Sequence, residues 1–150
     1  MIQLSRTDSE NIDFQNLVAR LDADLAQRDG NDHAFYDQFN KITDIKYALV
    51  AYENDKPVGC GAIKEIEPGS MEVKRMYVLP HQRGKGIATK ILLGLELWAK
   101  ELYYKKCVLE TGKRQPEAIA LYMKNGYVVI PNYGQYSGVE NSVCFEKMLL

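Results

Sequence analysis

The sequence predicts a single mixed α/β domain, and three observations predict it. Short runs of apolar and aromatic residues, bounded by Gly, Pro, Asn and Asp, recur along the 150 residues as strands do. Between them lie segments whose apolar residues repeat at three- and four-residue steps, the period of a helix with one buried face. At residues 76–88, Met-Tyr-Val-Leu-Pro-His-Gln-Arg-Gly-Lys-Gly-Ile-Ala, a strand-like run meets a glycine-rich turn and a long amphipathic helix follows at once.

The elements follow in order. Ile2 to Arg6 alternates as a short strand. A helix then begins at Ser9 or Asp13 and runs to Arg28, with Phe14, Leu17, Val18, Leu21 and Leu25 on one stripe. Asp29-Gly30-Asn31-Asp32 stops it, and a shorter helix is expected from His33 to about Lys41, with Phe35, Phe39 and Ile42 on one side. Tyr47–Tyr52 and Pro57–Ile66 read as strands joined by Glu53-Asn54-Asp55-Lys56, an antiparallel hairpin. Pro68-Gly69 turns the chain into a third strand, Met71 to Val78. After the helix from Ile87 to about Leu102, Lys106–Glu110 is a short buried strand. A helix links it to the strand ending at Val78, so those two strands should be parallel. Pro116 opens the last helix and Asn125-Gly126 closes it. Tyr127–Ile130 is a strand, residues 131–141 a loop, and Ser142–Leu149 the closing strand.

Bulk composition excludes several classes. A net charge of −1 gives no electrostatic basis for nucleic-acid binding. No apolar run approaches membrane-spanning length, and the N-terminus does not read as a signal peptide. Cys60, Cys107 and Cys144 are an odd set in apolar surroundings, expected as free buried thiols of a cytoplasmic protein. His33 and His81 are isolated, and no Cys/His spacing suits a metal, so none is expected.

The turn at Gln82-Arg83-Gly84-Lys85-Gly86 carries the chemistry. The first turn of a helix presents unpaired N–H groups and a positive dipole end, which together bind anions. Glycines let the backbone approach a pyrophosphate, and Arg83 and Lys85 add charge. The spacing is not that of a P-loop, and the third glycine of a dinucleotide fingerprint is replaced by Thr89. The plain alternative is a glycine turn before a surface helix.

Arg83-Gly84-Lys85-Gly86-Ile87-Ala88 resembles the acetyl-CoA signature of the GNAT superfamily of N-acetyltransferases, Gln/Arg-x-x-Gly-x-Gly/Ala, matching it at Arg83, Gly86 and Ala88. The element order is similar to the GNAT fold over the whole chain. The resemblance implies a central, mostly antiparallel mixed sheet whose parallel central strands splay apart to admit acetyl-CoA. It implies cofactor contacts from Met76, Tyr77, Val78, Gln82, Arg83, Gly84, Lys85, Gly86, Ile87, Ala88 and Thr89, with backbone N–H groups of Met76 and Val78 facing the pantetheine and thioester. Asn125 would touch the cofactor or only cap its helix.

Tyr122 resembles the tyrosine of the late GNAT helix that protonates the leaving thiolate; otherwise it is a core tyrosine. Two carboxylates compete for the general base. Glu72 lies six residues before Val78, on the same face if no bulge intervenes, and Glu110 ends the parallel strand; either would otherwise be a surface ion-pair partner. Asp32, His33, Tyr36 and Tyr133 are expected to line the acceptor side. The resemblance implies acetyl transfer to a primary amine of a small molecule by direct attack in a ternary complex, in a monomer or a homodimer. A peptide-acetylating enzyme and a non-catalytic acyl-CoA-binding module are the alternatives. Leu109-Glu110-Thr111-Gly112 and Gln115-Pro116-Glu117-Ala118 look like a bacterial GNAT subgroup of unassigned acceptor.

Overall fold

The computed structural model describes residues 1–30 and 45–150. The helix expected over His33–Lys41 lies outside the described residues. Every other expected element is present within a residue or two of its expected bounds. They are β1 (Ile2–Thr7), α1 (Ile12–Asp29), β2 (Tyr47–Glu53), β3 (Lys56–Glu67), β4 (Ser70–Val78), α2 (Ile87–Glu101), β5 (Lys106–Gly112), α3 (Pro116–Lys124), β6 (Val128–Ile130) and β7 (Ser142–Met148). Short 3₁₀ turns occupy Pro80–Gln82 and Gly134–Tyr136.

Local chemistry fixes these bounds. Asn11 caps α1 by accepting the Phe14 N–H at 2.9 Å, which settles where that helix starts. Asn54 and Asp55 both take positive φ, 51° and 64°, so the β2–β3 hairpin closes through a primed turn whose twist matches its strands. Pro116 stands in the first turn of α3, where a missing N–H costs nothing.

The seven strands form one sheet in the order β1-β2-β3-β4-β5-β7-β6. All neighbours are antiparallel except β4 and β5. Strand alternation sends apolar side chains to both faces, and a helix covers each. On one face α2 buries Ile87, Ile91, Leu92 and Leu95 against Met71, Val73 and Val78, and α3 adds Tyr122 to the same cluster. On the other, α1 buries Phe14, Leu17, Val18 and Leu21 against Val50, Cys60, Ala62 and Tyr77. Gly61 lets α2 sit this close: a Cβ there would meet Met76 Sδ at 2.6 Å and Leu95 at 2.9 Å.

Two irregularities in β4 create the site. The β4–β5 ladder holds only at Ser70↔Lys106, Met71↔Cys107 and Glu72↔Val108, after which the strands part. On its other side, β4 slips register against β3: Cys60 faces Tyr77 but Ala62 faces Lys74. Two steps on β3 therefore span three on β4, which is a bulge. Arg75 in that bulge takes φ 58°, and its buried side chain pairs with Asp22 of α1.

Candidate active site

Beyond Glu72 the inner edge of β4 has no strand partner, so its backbone groups face a gap. Leu79 N–H donates to Val58 O of β3 at 2.9 Å. Donors alternate along a strand, so the Val78 N–H and C=O turn the opposite way, into the gap. The Val78 carbonyl there accepts from Arg83 Nε at 2.9 Å, which ties the strand end to the glycine turn. The Arg83 guanidinium lies 5.5 Å from the centre of the Tyr77 ring.

Gly84 and Gly86 have φ of 82° and 81°, and a Cβ built on either meets nothing within 4 Å. Gly86 is the N-cap of α2. The first N–H groups of a fifteen-residue helix thus open onto unfilled space, as an anion cradle requires. Lys85 Nζ donates to Gln82 Oε1 at 3.0 Å on the exposed side of this turn. The Ile87 side chain is buried in the core, which leaves its backbone as the part facing the turn.

A cavity of about 350 Å³ runs through the gap. Met76, Val78, Gly84, Ala88 and Tyr122 line it on one side, and Glu72, Lys74, Glu110 and Tyr136 on the other. Both candidate carboxylates thus reach one cavity with Tyr122. Glu72 Oε2 accepts from the Tyr133 hydroxyl at 2.5 Å and Oε1 from Lys74 Nζ at 3.2 Å. Glu110 Oε2 accepts from Ser142 Oγ at 2.7 Å. The bulge decides the faces. Met71, Val73 and Val78 pack on the α2 face, so Glu72 points to the α1 face, and the even-spacing rule that would align Glu72 with Val78 does not apply.

Tyr122 is buried, its ring edge-on to Tyr127 with centroids 5.7 Å apart. Burial, and then the Glu110 charge, push its pKa well above the ordinary value. The hydroxyl therefore keeps its proton at any working pH. Tyr136 lines the same cavity as both carboxylates, and burial, then Glu110 and Glu72, push its pKa up.

Asp32, His33 and Tyr36 lie outside the described residues. Tyr133 binds Glu72. The Asn125 amide donates to the Leu121 carbonyl at 2.8 Å and is a helix cap; Thr89 is partly buried in the first turn of α2. Sequence reasoning named Lys74 as an ion-pair partner open to the carboxylates and Tyr136 as a residue of the acceptor side, and it missed Ser142 as the support of Glu110. Only the pairing of β5 with β7 brings Ser142 there, and no local pattern carries that information.

A sheet split between parallel strands, with a glycine turn and helix start at one end and two carboxylates opposite a tyrosine, forms a candidate acyl-transfer site. The model of the acetyltransferase (GNAT) family matches residues 14–127, and the chain belongs to that family. It is 40% identical over 107 residues to the IAA acetyltransferase of Azospirillum brasilense, covering 71% of this chain and 69% of that protein. A solved Klebsiella pneumoniae structure described as a candidate acyl-CoA N-acyltransferase superposes with TM-score 0.84 at 31% identity, covering 100% of this chain and 99% of that one. The PaiA N-acetyltransferase of Thermoplasma acidophilum, solved with coenzyme A, shares the fold with TM-score 0.73 at 20% identity, covering 99% of each chain. The chain is an acyltransferase of the GNAT class, and acyl-CoA is its co-substrate.

Proposed function

We propose that this single-domain protein transfers an acetyl group from acetyl-CoA to a primary amine of a small molecule, by direct attack in a ternary complex. One observation carries the reading: Tyr122 and the two carboxylates line one cavity from opposite faces of the split sheet. With the pyrophosphate at Gly84–Gly86, the thioester would lie along the open edge of β4. Backbone N–H groups of Met76 or Val78 would hold its carbonyl oxygen as negative charge develops.

The amine nitrogen forms its bond to the thioester carbon and passes its proton to a carboxylate. The C–S bond breaks, and the leaving thiolate takes the Tyr122 proton. We assign the base to Glu110 over Glu72. Glu110 is the carboxylate whose charge reaches Tyr122 across the cavity that both line, and Glu72 is held against the acceptor side by Tyr133 and Lys74. Glu72 then fixes the acceptor wall and adds negative charge that favours a cationic amine.

The volume of the cavity, about 350 Å³, suits a small acceptor. A ping-pong route needs a nucleophile. Cys107 lies in the paired part of the β4–β5 ladder, opposite Met71, and is fully buried; burial raises its thiol to about 12, so direct attack is favoured. Three free buried thiols support a cytoplasmic setting.

The test is release of free CoA from acetyl-CoA across a panel of small amines and N-terminal peptides. Saturable release with a small amine, yielding the acetylated amine and intersecting two-substrate plots, is expected. Turnover with peptides alone would favour the protein-acetylating reading. Tight acetyl-CoA binding with no amine-dependent release would make the chain a binding module.

A further inference from the structure

Charged side chains from both faces of the sheet meet beside the gap. Arg28 is in the last turn of α1, on one face of the sheet, and Glu117 is in the first turn of α3, on the other. Their side chains form an ion pair although 89 positions separate them. Helices on opposite faces of a sheet meet only past an edge or through a break, and here the break is the β4–β5 gap. Arg28 Nε also pairs with Asp24 Oδ2 at 3.3 Å. Asp24 and Glu117 line the cavity together with Arg83 and Gly84 of the glycine turn.

Glu117 feels both arginines. Burial pulls its carboxyl up, but a backbone hydrogen bond at the helix start, then Arg28 and Arg83, outweigh that and hold it below its ordinary value. The carboxylate is thus paired with Arg28 and shares a cavity wall with Arg83, beside the turn that would receive a pyrophosphate. Such a half-exposed pair is worth only about 0–1 kcal/mol, so exchanging it is cheap. A pyrophosphate carries more charge than a carboxylate, and the guanidinium fork matches its oxygens. Seated at Gly84–Gly86, it would repel Glu117 and draw Arg28.

We propose that Arg28 is a ligand for the cofactor phosphates, held in waiting by Glu117 and transferred when acyl-CoA enters the gap. The proposal rests on acyl-CoA binding in this gap and adds a residue from α1, outside the motif at residues 83–88. It also ties cofactor loading to α1, whose Leu21 and Leu25 line the same cavity.

The two ends of one ion pair should then act with opposite signs. In calorimetry with acetyl-CoA, Arg28→Ala should weaken binding about tenfold, the worth of one charge-assisted hydrogen bond, and Arg28→Lys should recover part of it. Glu117→Gln should tighten binding about threefold by removing the competing carboxylate. Acetyl-pantetheine, which lacks the phosphates, should bind all variants equally. Both side chains are partly exposed, at 26% and 55%, so the fold should survive. Two neutral variants, shifts of the same sign, or equal shifts with acetyl-pantetheine would overturn the proposal. A wild-type chain that fails to bind acetyl-CoA would overturn the reading of the gap and this proposal with it.

Discussion

Glu72 and Val78 lie on opposite faces of β4, although six residues separate them. An even count on a regular strand would place them together. Arg75 breaks the count by folding into the left-handed region, which costs a non-glycine residue about 1–2 kcal/mol. Its side chain is clamped by Asp22 and its carbonyl accepts from Cys60 Sγ at 3.4 Å. The bulge thereby turns one carboxylate toward the acceptor side and leaves the β4 edge open.

That arrangement predicts a stability effect at a distance from the chemistry. Asp22→Ala would strand a buried guanidinium whose Nε already has no partner among the described residues. Removing one member of a buried pair costs several kcal/mol, but Asp22 is 39% exposed, so a loss of about 1–2 kcal/mol is expected. Chemical denaturation measures it. Unchanged stability would mean that the pair does not hold the bulge.

Tyr122→Phe keeps the ring in its core contacts with Tyr127 and Phe145 and removes only the hydroxyl. If Tyr122 protonates the thiolate, kcat should fall by about 10²-fold or more with little change in acetyl-CoA affinity. Wild-type turnover would return Tyr122 to a purely packing role.

The two carboxylates should separate by phenotype. Glu110→Gln is expected to lower kcat severely and to flatten the pH dependence set by its own ionisation. Glu72→Gln should mainly raise the KM for the amine, and it should lower stability by about 1 kcal/mol because the Tyr133 and Lys74 bonds weaken. The reverse pattern would exchange their roles.

The buried thiols set an alkaline limit. Burial raises Cys60 and Cys107 from 9.0 to about 12. A raised folded-state value means that stability is fully present below the unfolded pKa and is lost as pH rises toward the folded one. Stability should therefore decline between pH 9 and pH 12, and less steeply in Cys107→Ala, which should also retain acetyl transfer. Thermal unfolding across that range checks the first point. An acetylated enzyme trapped by mass spectrometry, and absent from Cys107→Ala, would contradict direct attack.

Much of the fold was legible because its signals are local. Asn54-Asp55 announces its hairpin, Pro116 its helix, and the stripe Phe14, Leu17, Val18, Leu21 its buried face. The glycine turn was legible for the same reason: two positive-φ glycines are needed where the backbone meets an anion. The bulge was legible only through the family resemblance, in which one is common in this strand; Arg75 itself is an ordinary strand residue forced into an uncommon conformation by contacts with α1. Tyr133 on Glu72 and Arg28 on Glu117 were not legible, because those pairs are 61 and 89 positions apart and depend on how the layers meet.

Calorimetry of acetyl-CoA binding to Gly86→Asp, beside the wild type, tests most directly whether the β4–β5 gap and its glycine cradle form the cofactor site. The substitution adds a Cβ at φ 81°, where space is open, and a negative charge where the pyrophosphate would sit. Gly86→Ala controls for the backbone strain alone. The prediction is tight binding by the wild type, modest weakening in Gly86→Ala and loss in a folded Gly86→Asp. Wild-type affinity in a folded Gly86→Asp would show that the phosphates bind elsewhere.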